Sequence, residues 1–347
     1  MRLKGVAPYT GKRMKQKKLI TWILILLLIG LIVWKLSVRT KAALKIEQDT
    51  RLMMDTIMTV TLVAPEKNLR STFQKGFDEM QRIADLTDRH KAGTEINRLN
   101  TARSLAISKE LAELISLGEK YRKNSNNAFD IRIGKLSDLW GFGTERQAVP
   151  SEKMINAVLP QGDVIISGNK VNLPNDIVLD LGALAKGYAI EKARTIMKKT
   201  APSGLILGGG SSVAAWGEHP EKRPWRIGLK HPRDPAKLLG VIELNDGWSL
   251  GTSGDYERYF SENGKRYHHI LDSQTGYPVP DVYACTILIE DSTLADILST
   301  LLFVLGPQKG QTYLEQVDLG PLAVAWVVAP GKIVTYEKGA KLPKLSY

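Results

Sequence analysis

Residues 292–305 combine a helical pattern with polar side chains that could hold a metal ion. The segment is apolar almost all round, which predicts a buried helix. Asp296 and Thr300 are spaced i,i+4 and therefore share a face, with Ser299 beside them. A buried carboxylate needs a cation, a basic partner or a proton, and one solution is a hard cation with oxygen ligands. The alternative is a threonine that bonds back to its own helix and an aspartate that reaches the rim.

The segment HHILDSQTGYPV, residues 268–279, holds a density of polar groups that an ordinary core does not need. His268 and His269 are adjacent, so in an extended chain they point to opposite faces. At most one of them is therefore expected to be catalytic. The sequence contains no HExxH and no paired CxxC, which argues against a zinc site.

Three other segments are candidates for ligand binding, each with a purely structural alternative. Asp180 ends a strand pattern that turns into a helix with Lys186 in its first turns, and such a helix start attracts anions or is simply capped by the aspartate. GGGSS (208–212) either brings the main chain close to a ligand or forms a plain turn, and it matches neither GxGxxG nor GxxxxGK[ST]. Phe129 and Trp140 either stack on a ring system or fill the core.

The surrounding pattern predicts the elements that position these groups. Residues 54–64 alternate and are rich in β-branched side chains, which predicts a strand. Residues 69–86 and 108–123 repeat apolar side chains at helical spacing. In the buried helix, Ser292 is the expected N-cap and Gly306 the expected stop signal. The mixture is neither regular βαβ nor all-β, so we predict an α+β fold with mixed or antiparallel sheets and packed helices.

The net charge of +12 suggests a nucleic-acid-binding protein until the charges are located. Residues 1–46 contain 11 basic residues and no acidic one, which leaves +1 for residues 47–347. The folded part is therefore nearly neutral, and no nucleic-acid partner is expected. The single cysteine permits no internal disulfide and does not identify the compartment.

A hydrophobic run near the N-terminus predicts a membrane anchor. Residues 19–34 are uncharged, and the run reaches residue 38 if Lys35 snorkels, which approaches the roughly 20 residues that a bilayer requires. Seven basic residues precede the run, so the positive-inside rule places the N-terminus in the cytoplasm and the remainder outside. A cleaved signal peptide is the alternative, although the sequence VRTKAAL offers only a poor site. We predict a basic cytoplasmic tail at 1–18, a transmembrane signal anchor at 19–38, a stalk at 39–50 and one catalytic domain at 51–347.

Eight segments, in this order, resemble the FAD:protein FMN transferases, the ApbE-like family of flavin transferases. They span about residues 52–306. The segments are MDT (54–56), TEINRLN (94–100), NAFDIRIGKLSDLWGFG (127–143), LDLGALAKGYAIEKA (179–193), LGGGSSVAAWG (207–217), TSGDYERYF (252–260), YHHILDSQTGYPV (267–279) and LADILSTLLFVLG (294–306).

The resemblance implies an ApbE-like fold related to the T-fold and a Mg²⁺-dependent transferase. FAD would be its substrate rather than a redox cofactor. FMN would pass from FAD to a threonine or serine hydroxyl through a phosphoester bond, with release of AMP. The implied acceptors are membrane-associated electron-transfer flavoproteins that carry a Thr/Ser flavinylation motif. With the predicted anchor, the enzyme would be a single-pass cell-membrane protein with an extracytoplasmic catalytic domain.

The resemblance also implies roles for individual residues. His269 is the implied base, which accepts the proton of the attacking hydroxyl. The implied FAD-binding residues are Met54, His90, Ala128, Phe129, Asp130, Asp180, Lys186 and Ile270. The implied magnesium ligands are the Ala183 carbonyl, Asp296, Ser299 and Thr300, in agreement with the oxygen ligands inferred from burial.

The sequence departs from the family pattern at several positions. Asp55 and Arg132 stand where glycine and threonine are common. The loop GGGSS stands where two glycines are usually followed by an acidic residue or its amide, and Ser273-Gln274 stands where Pro-Arg is common. The last two bear on the phosphate contacts. Two other functions stay open. One is a FAD pyrophosphatase, with water as the acceptor, and the other is a non-catalytic, membrane-anchored flavin-binding accessory protein, which would have no need of Asp296 and Thr300.

Overall fold

The computed structural model describes residues 22–30, 44–174 and 177–347. The chain divides into two compact units, Met1–Leu44 and Lys45–Tyr347.

In the first unit, residues 22–30 form helix α1, whose side chains are exposed. Within the described ranges, no helix is both long enough and apolar enough to cross a bilayer. The predicted cytoplasmic tail at 1–18 lies wholly outside the described residues, and the predicted anchor at 19–38 lies partly outside them.

The larger unit contains an eight-stranded sheet. From the second strand to the last, neighbouring strands pair antiparallel. In spatial order the strands are β1 (Leu44–Met53), β2 (Thr56–Pro65), β6 (Ser203–Gly208), β7 (Ser212–Trp216), β10 (Ser249–Gly254), β13 (Ala284–Ile289), β14 (Leu322–Ala329) and β15 (Lys332–Lys338).

Side chains of the central strands alternate between two buried layers, because successive residues of a pleated strand face opposite sides. Val60 and Ile206 belong to a core shared with two helices, whereas Val63 and Leu205 belong to a core shared with a hairpin. The sheet is therefore covered on both faces. The covering elements are helices α2 (Glu66–Thr87) and α7 (Gly182–Met197) on one side and strands β8 (Trp225–Lys230) and β9 (Leu238–Leu244) on the other.

The remaining elements complete an α+β fold, as predicted. The predicted helices at 69–86 and 108–123 correspond to α2 and to a helix that begins after Ser108, whose side chain caps the Leu111 amide. The remaining helices are α3 (Glu95–Ala102), α4 (Lys109–Asn124), α5 (Gly134–Trp140), α6 (Glu152–Asn156) and α8 (Ser292–Gln316). The remaining strands form a small sheet of β3 (Ser104–Ala106), β5 (Lys170–Asn172) and β4 (Ile165–Ser167), and a hairpin of β11 (Tyr259–Glu262) and β12 (Lys265–His268).

Helix α8 differs from its prediction at both ends. The N-cap is Asp291, whose side chain accepts hydrogen bonds from the amides of residues 293 and 294, so the prediction of Ser292 was wrong. Ser292 instead donates to the Gly187 carbonyl, 2.9 Å away, and ties α8 to α7. Gly306 interrupts the helix as predicted, with φ of 66°. The helix then resumes, because Pro307 is acceptable in a first turn where its missing N–H has no partner to lose.

The predicted stalk at 39–50 is wrong from residue 44 onward, where the chain forms β1. Thr50 and Thr59 face each other across β1 and β2, with their hydroxyl oxygens 3.1 Å apart. An edge strand exposes most of its side chains, which explains why its polar sequence resembles a stalk. Met54 and Asp55 form the connecting turn, with φ values of 52° and 56°. That left-handed conformation favours glycine, the family's common residue at position 55, and tolerates aspartate.

Candidate active site

Asp296 lies where α7 and α8 cross, with 8% of its surface exposed. One carboxylate oxygen accepts a hydrogen bond from the Gly187 amide and the other from the Ser212 hydroxyl, each at 2.5 Å. The crossing is close because Gly187 has no side chain. A Cβ there would overlap the Ser292 carbonyl oxygen and lie 2.9 Å from the Asp296 Cγ. A glycine in α7 therefore lets the two helices approach and bond this carboxylate.

The Gly187 contact predicts a stability effect. We expect Gly187→Ala to lower the free energy of unfolding by about 1–3 kcal/mol, because the added methyl group forces α7 and α8 apart. Gly182→Ala is the matched control in the same helix, since a Cβ there meets only an Asp180 carboxylate oxygen at 3.1 Å. Chemical denaturation of both variants measures the difference. Equal stability of the two variants would contradict the close crossing.

Three hydroxyl groups surround the next turn of α8. Ser299 donates to the Asp296 carbonyl at 3.0 Å. The hydroxyl oxygen of Ser253, on β10, lies 3.0 Å from that of Ser299 and 3.1 Å from that of Thr300. The hydroxyls of Ser299 and Thr300 therefore lie together against β10, which contributes a residue that the sequence prediction missed. Its signal was available in TSGDYERYF, where Ser253 is the central polar residue of a small-residue strand.

Asp296, Ser299, Thr300 and Ser253 form an oxygen cluster, the Asp296 cluster, whose chemistry fits a hard cation. All its atoms are oxygens, and a carboxylate has about four lone-pair positions, of which the amide and hydroxyl bonds take two. The described residues contain no group of three or more histidine, cysteine, aspartate or glutamate side chains that could hold a metal ion. Asp296 is thus the acidic member of the set. Ala183 lies in α7, one helical turn before Gly187, whose amide binds Asp296, and its role as a ligand stays a prediction.

Electrostatics favours a cation beside Asp296. Burial raises the pKa of the Asp296 carboxyl above its usual 3.8, and the charge of Lys186 and the bonds from Ser212 and Gly187 oppose that rise. Lys186 also donates to the Ser211 hydroxyl at 2.7 Å. The loop GGGSS therefore carries one serine that binds the lysine and one that binds the carboxylate.

Of the two adjacent histidines, His269 is the one that remains accessible. Its ring is half-buried, and its Nδ1 lies 3.2 Å from the Arg258 carbonyl oxygen. A carbonyl only accepts, so Nδ1 carries the proton and Nε2 is left with a free lone pair. Burial, followed by the charges of Arg258 and His268, lowers the pKa of His269 to about 3, and Lys186 contributes in the same direction. The neutral ring is therefore present throughout the physiological pH range.

His268 serves the core, as expected for one of two adjacent histidines. It is 4% exposed, its Nε2 bonds the Val279 carbonyl at 2.9 Å, and its ring packs edge-on against Phe303. Burial lowers its pKa as well. Ile270 follows it into the core, where its amide donates to His268 Nδ1 at 3.3 Å.

The segment 128–130 offers less side-chain surface to a ligand than its predicted role suggests. Ala128 is buried, and the Phe129 ring is 1% exposed within the core, so any ligand contact of Phe129 must come from its main chain. The Asp130 side chain is 2% exposed and paired with Arg132 at 2.7 Å. Arg132, which replaces the family's threonine, occupies both Asp130 oxygens. Trp140 is likewise a core residue.

Ser273 and Gln274, which replace the common Pro-Arg, bind main chain rather than standing free. Ser273 donates to the Asn127 carbonyl at 3.0 Å, and Gln274 donates to the Asn126 carbonyl at 2.7 Å. Both asparagines have positive φ. The two substitutions therefore fasten the 272–276 turn to the start of the 128–130 segment.

The other predicted FAD-binding residues are dispersed. Asp180 accepts hydrogen bonds from the Gly182 amide at 2.9 Å and from Arg89 at 3.0 Å, whereas the N-cap position of α7 is Leu181. Met54 is half-buried in the β1–β2 turn, and His90 is exposed after α2. In the described part of the chain, no hydrogen bond or ion pair joins Met54 or His90 to the Asp296 cluster.

Known proteins resemble this chain in sequence and in fold. The FAD:protein FMN transferase of Klebsiella pneumoniae (strain 342) is 34% identical over 252 residues, which cover 69% of this chain and 77% of that protein. The corresponding protein of Escherichia coli (strain K12) is 29% identical over 249 residues, which cover 67% and 71%.

Two crystal structures share the fold. The ApbE protein of Thermotoga maritima superposes with a TM-score of 0.77 at 31% identity, covering 84% of this chain and 96% of that one. The apo flavinyl transferase ApbE of Pseudomonas stutzeri superposes with a TM-score of 0.73 at 29% identity, covering 86% and 98%. The sequence pattern of the ApbE family matches residues 54–324, the whole span that holds the Asp296 cluster and His269, and the chain belongs to the ApbE family.

Proposed function

We propose that this protein is a FAD:protein FMN transferase. The observation that carries this function is the similarity to FAD:protein FMN transferases along most of the chain, at up to 34% identity. The site is consistent with that activity, because a neutral histidine, a lysine and a buried oxygen cluster lie within electrostatic range of one another. FAD is the substrate, and a protein hydroxyl is the acceptor.

The reaction balances without a redox step. The oxygen of an acceptor threonine or serine attacks the FAD phosphorus on the FMN side. The bond from that phosphorus to the bridging oxygen breaks, and AMP leaves with the bridging oxygen. The hydroxyl proton passes to Nε2 of His269, which the Arg258 carbonyl holds in the required tautomer. An anionic diphosphate beside the ring raises the pKa of His269 toward the working pH, because it favours the protonated form.

Magnesium is the metal that we assign to the oxygen cluster. Asp296, Thr300, Ser299 and the Ala183 carbonyl would hold it. When bound, Mg²⁺ supplies neutralisation of the charge that develops on the diphosphate oxygens. Lys186 adds a fixed positive charge from α7, and its bond to Ser211 orients it.

Covalent flavin on the acceptor tests this function. The full-length protein, FAD, Mg²⁺ and a purified apo-flavoprotein domain with a threonine flavinylation motif are incubated and separated on a denaturing gel. We expect a fluorescent flavin band on the acceptor, and none on the same domain after its threonine is changed to alanine. A band on both domains, or on neither, would reject transfer to that hydroxyl.

We further propose that the enzyme is anchored in the cell membrane by residues 19–38 and works outside the cytoplasm on membrane-associated electron-transfer flavoproteins. The support is the charge asymmetry of the sequence, with seven basic residues and no acidic one ahead of the hydrophobic run. Lys35, Arg39, Lys41 and Lys45 follow the run and weaken the asymmetry.

Protease accessibility tests the orientation. Protease added to intact, wall-stripped cells is expected to digest the catalytic domain, while a cytoplasmic marker protein stays intact. A domain that survives until the membrane is permeabilised would place it inside, and would require cytoplasmic acceptors.

A further inference from the structure

The main-chain carbonyl of Arg258 holds His269 in place. Its oxygen accepts from the His269 amide at 3.1 Å and faces Nδ1 of the same residue at 3.2 Å. Both bonds come from one residue of the loop between β10 and β11. They fix the ring's tautomer and limit its rotation, so the position of Nε2 follows the position of residue 258.

The side chain of Arg258 is the unusual part of this contact. It is exposed, and among the described residues no carboxylate lies within ion-pair distance of its guanidinium. Arg266, the other arginine of this hairpin region, differs, since it lies 3.9 Å from Asp255 and stacks on Tyr259. The charge of Arg258 nevertheless reaches His269, where it is the largest contribution to the lowered pKa after burial.

An unpaired cation beside a base is unfavourable, because it repels the proton that the base must accept. The other side chains that act on His269 do not offset it, because Lys186 and His268 also lower its pKa. An anion is therefore the missing partner. The hydroxyl oxygen whose proton His269 takes forms a bond to the attacked phosphorus. The phosphate must therefore lie close to the ring, so a charge that acts on the ring also acts on the phosphate.

We propose that Arg258 is a positioning residue for phosphoryl transfer: its carbonyl fixes His269, and its guanidinium pairs with the FAD phosphate that is transferred. This inference rests on the proposed function. With this pairing, the proton affinity of His269 depends on bound substrate. The phosphate that pairs with the guanidinium of Arg258 also restores the affinity of Nε2 for a proton. Arginine suits the task, since its planar fork binds two phosphate oxygens and always stays charged.

The test compares three variants of the full-length protein with FAD, Mg²⁺ and the acceptor domain. We expect Arg258→Gln to lower kcat by about 100-fold, the scale for losing one charge-stabilising donor. Arg258→Lys should recover most of that loss, because the charge remains although the fork does not. Arg146→Gln, an exposed arginine in the loop after α5, removes the same charge from the same region and should change kcat less than about 2-fold.

The pH profile separates this role from a structural one. The acid limb of kcat/KM should move to higher pH in Arg258→Gln, because removal of the cation raises the pKa of His269 in the free enzyme. An unshifted acid limb, or an equal loss in Arg146→Gln, would overturn the inference while wild-type transfer continued. Failure of the wild-type protein to transfer FMN would instead reject the proposed function.

Discussion

Asp296→Asn is expected to reduce FMN transfer by at least about 100-fold while the fold persists. The variant removes the only carboxylate of the oxygen cluster within the described residues. Loss of about 3 kcal/mol of charge stabilisation corresponds to more than about 100-fold in rate. The carboxamide keeps the volume and can still accept from the Gly187 amide and donate to Ser212, so the crossing of α7 and α8 is retained. Transfer rates at saturating FAD, with and without added Mg²⁺, provide the measurement.

Thermal unfolding gives a second readout that does not depend on activity. At a Mg²⁺ concentration of about 100 times its Kd, binding stabilises the native wild-type protein by about 2.7 kcal/mol. The asparagine variant should lack this increment. Mg²⁺-induced stabilisation that is equal in the two proteins would contradict the assignment of the metal to Asp296.

The same variant has a predictable pH dependence in metal-free buffer. Burial raises the folded-state pKa of Asp296 above 3.8, so the folded protein binds its proton more readily than the unfolded chain. This contribution to stability is full below pH 3.8 and is lost as the pH rises through the folded-state pKa. Without metal, Asp296→Asn should therefore be more stable than wild type at neutral pH, and the difference should disappear in acid. A cost of this kind is expected for a residue that a cation normally balances.

His269→Ala is expected to lower kcat by about 100- to 10,000-fold, the usual range for losing a general base, with little change in the KM for FAD. The physical reason is that Nε2 of His269 has a free lone pair, which can accept the proton of the attacking hydroxyl. Single-turnover transfer at saturating FAD measures the chemical step directly.

His268→Ala is the matched control, since it removes the neighbouring imidazole from the core. It should lower stability through the lost Val279 bond and the packing against Phe303, but it should reduce kcat far less. If His269→Ala weakens FAD binding and leaves the rate at saturating FAD unchanged, His269 is a binding residue and the proton must go elsewhere.

The elements that carry the site were predictable because their patterns are local. Helical spacing in α8 placed Asp296, Ser299 and Thr300 on one face, and strand alternation separated His268 from His269. The Ser292 N-cap was wrong because Asp291 and Ser292 are both good caps and are adjacent. Ser292 does not cap α8, because its hydroxyl bonds the Gly187 carbonyl of α7, and only the folded structure shows that contact.

The contacts between segments were not predictable from spacing. Asp296 meets Gly187 and Ser212, which are 109 and 84 residues away along the chain. Arg132 binds both carboxylate oxygens of Asp130, and no periodicity in the sequence predicts that pair. Ser253 contacts Ser299 only because β10 packs against α8. The β1 strand was also missed, since an edge strand with polar side chains lacks the alternation of a half-buried one.

The ratio of AMP released to flavin covalently bound tests the central claim most directly. The full-length protein is incubated with FAD, Mg²⁺ and the acceptor domain, AMP is quantified by chromatography, and bound FMN is quantified on the denatured acceptor. A transferase yields one AMP for each FMN attached, and AMP formation should stop when the acceptor threonine is changed to alanine. AMP released in excess, with free FMN and no covalent flavin, would contradict the account and identify a FAD pyrophosphatase.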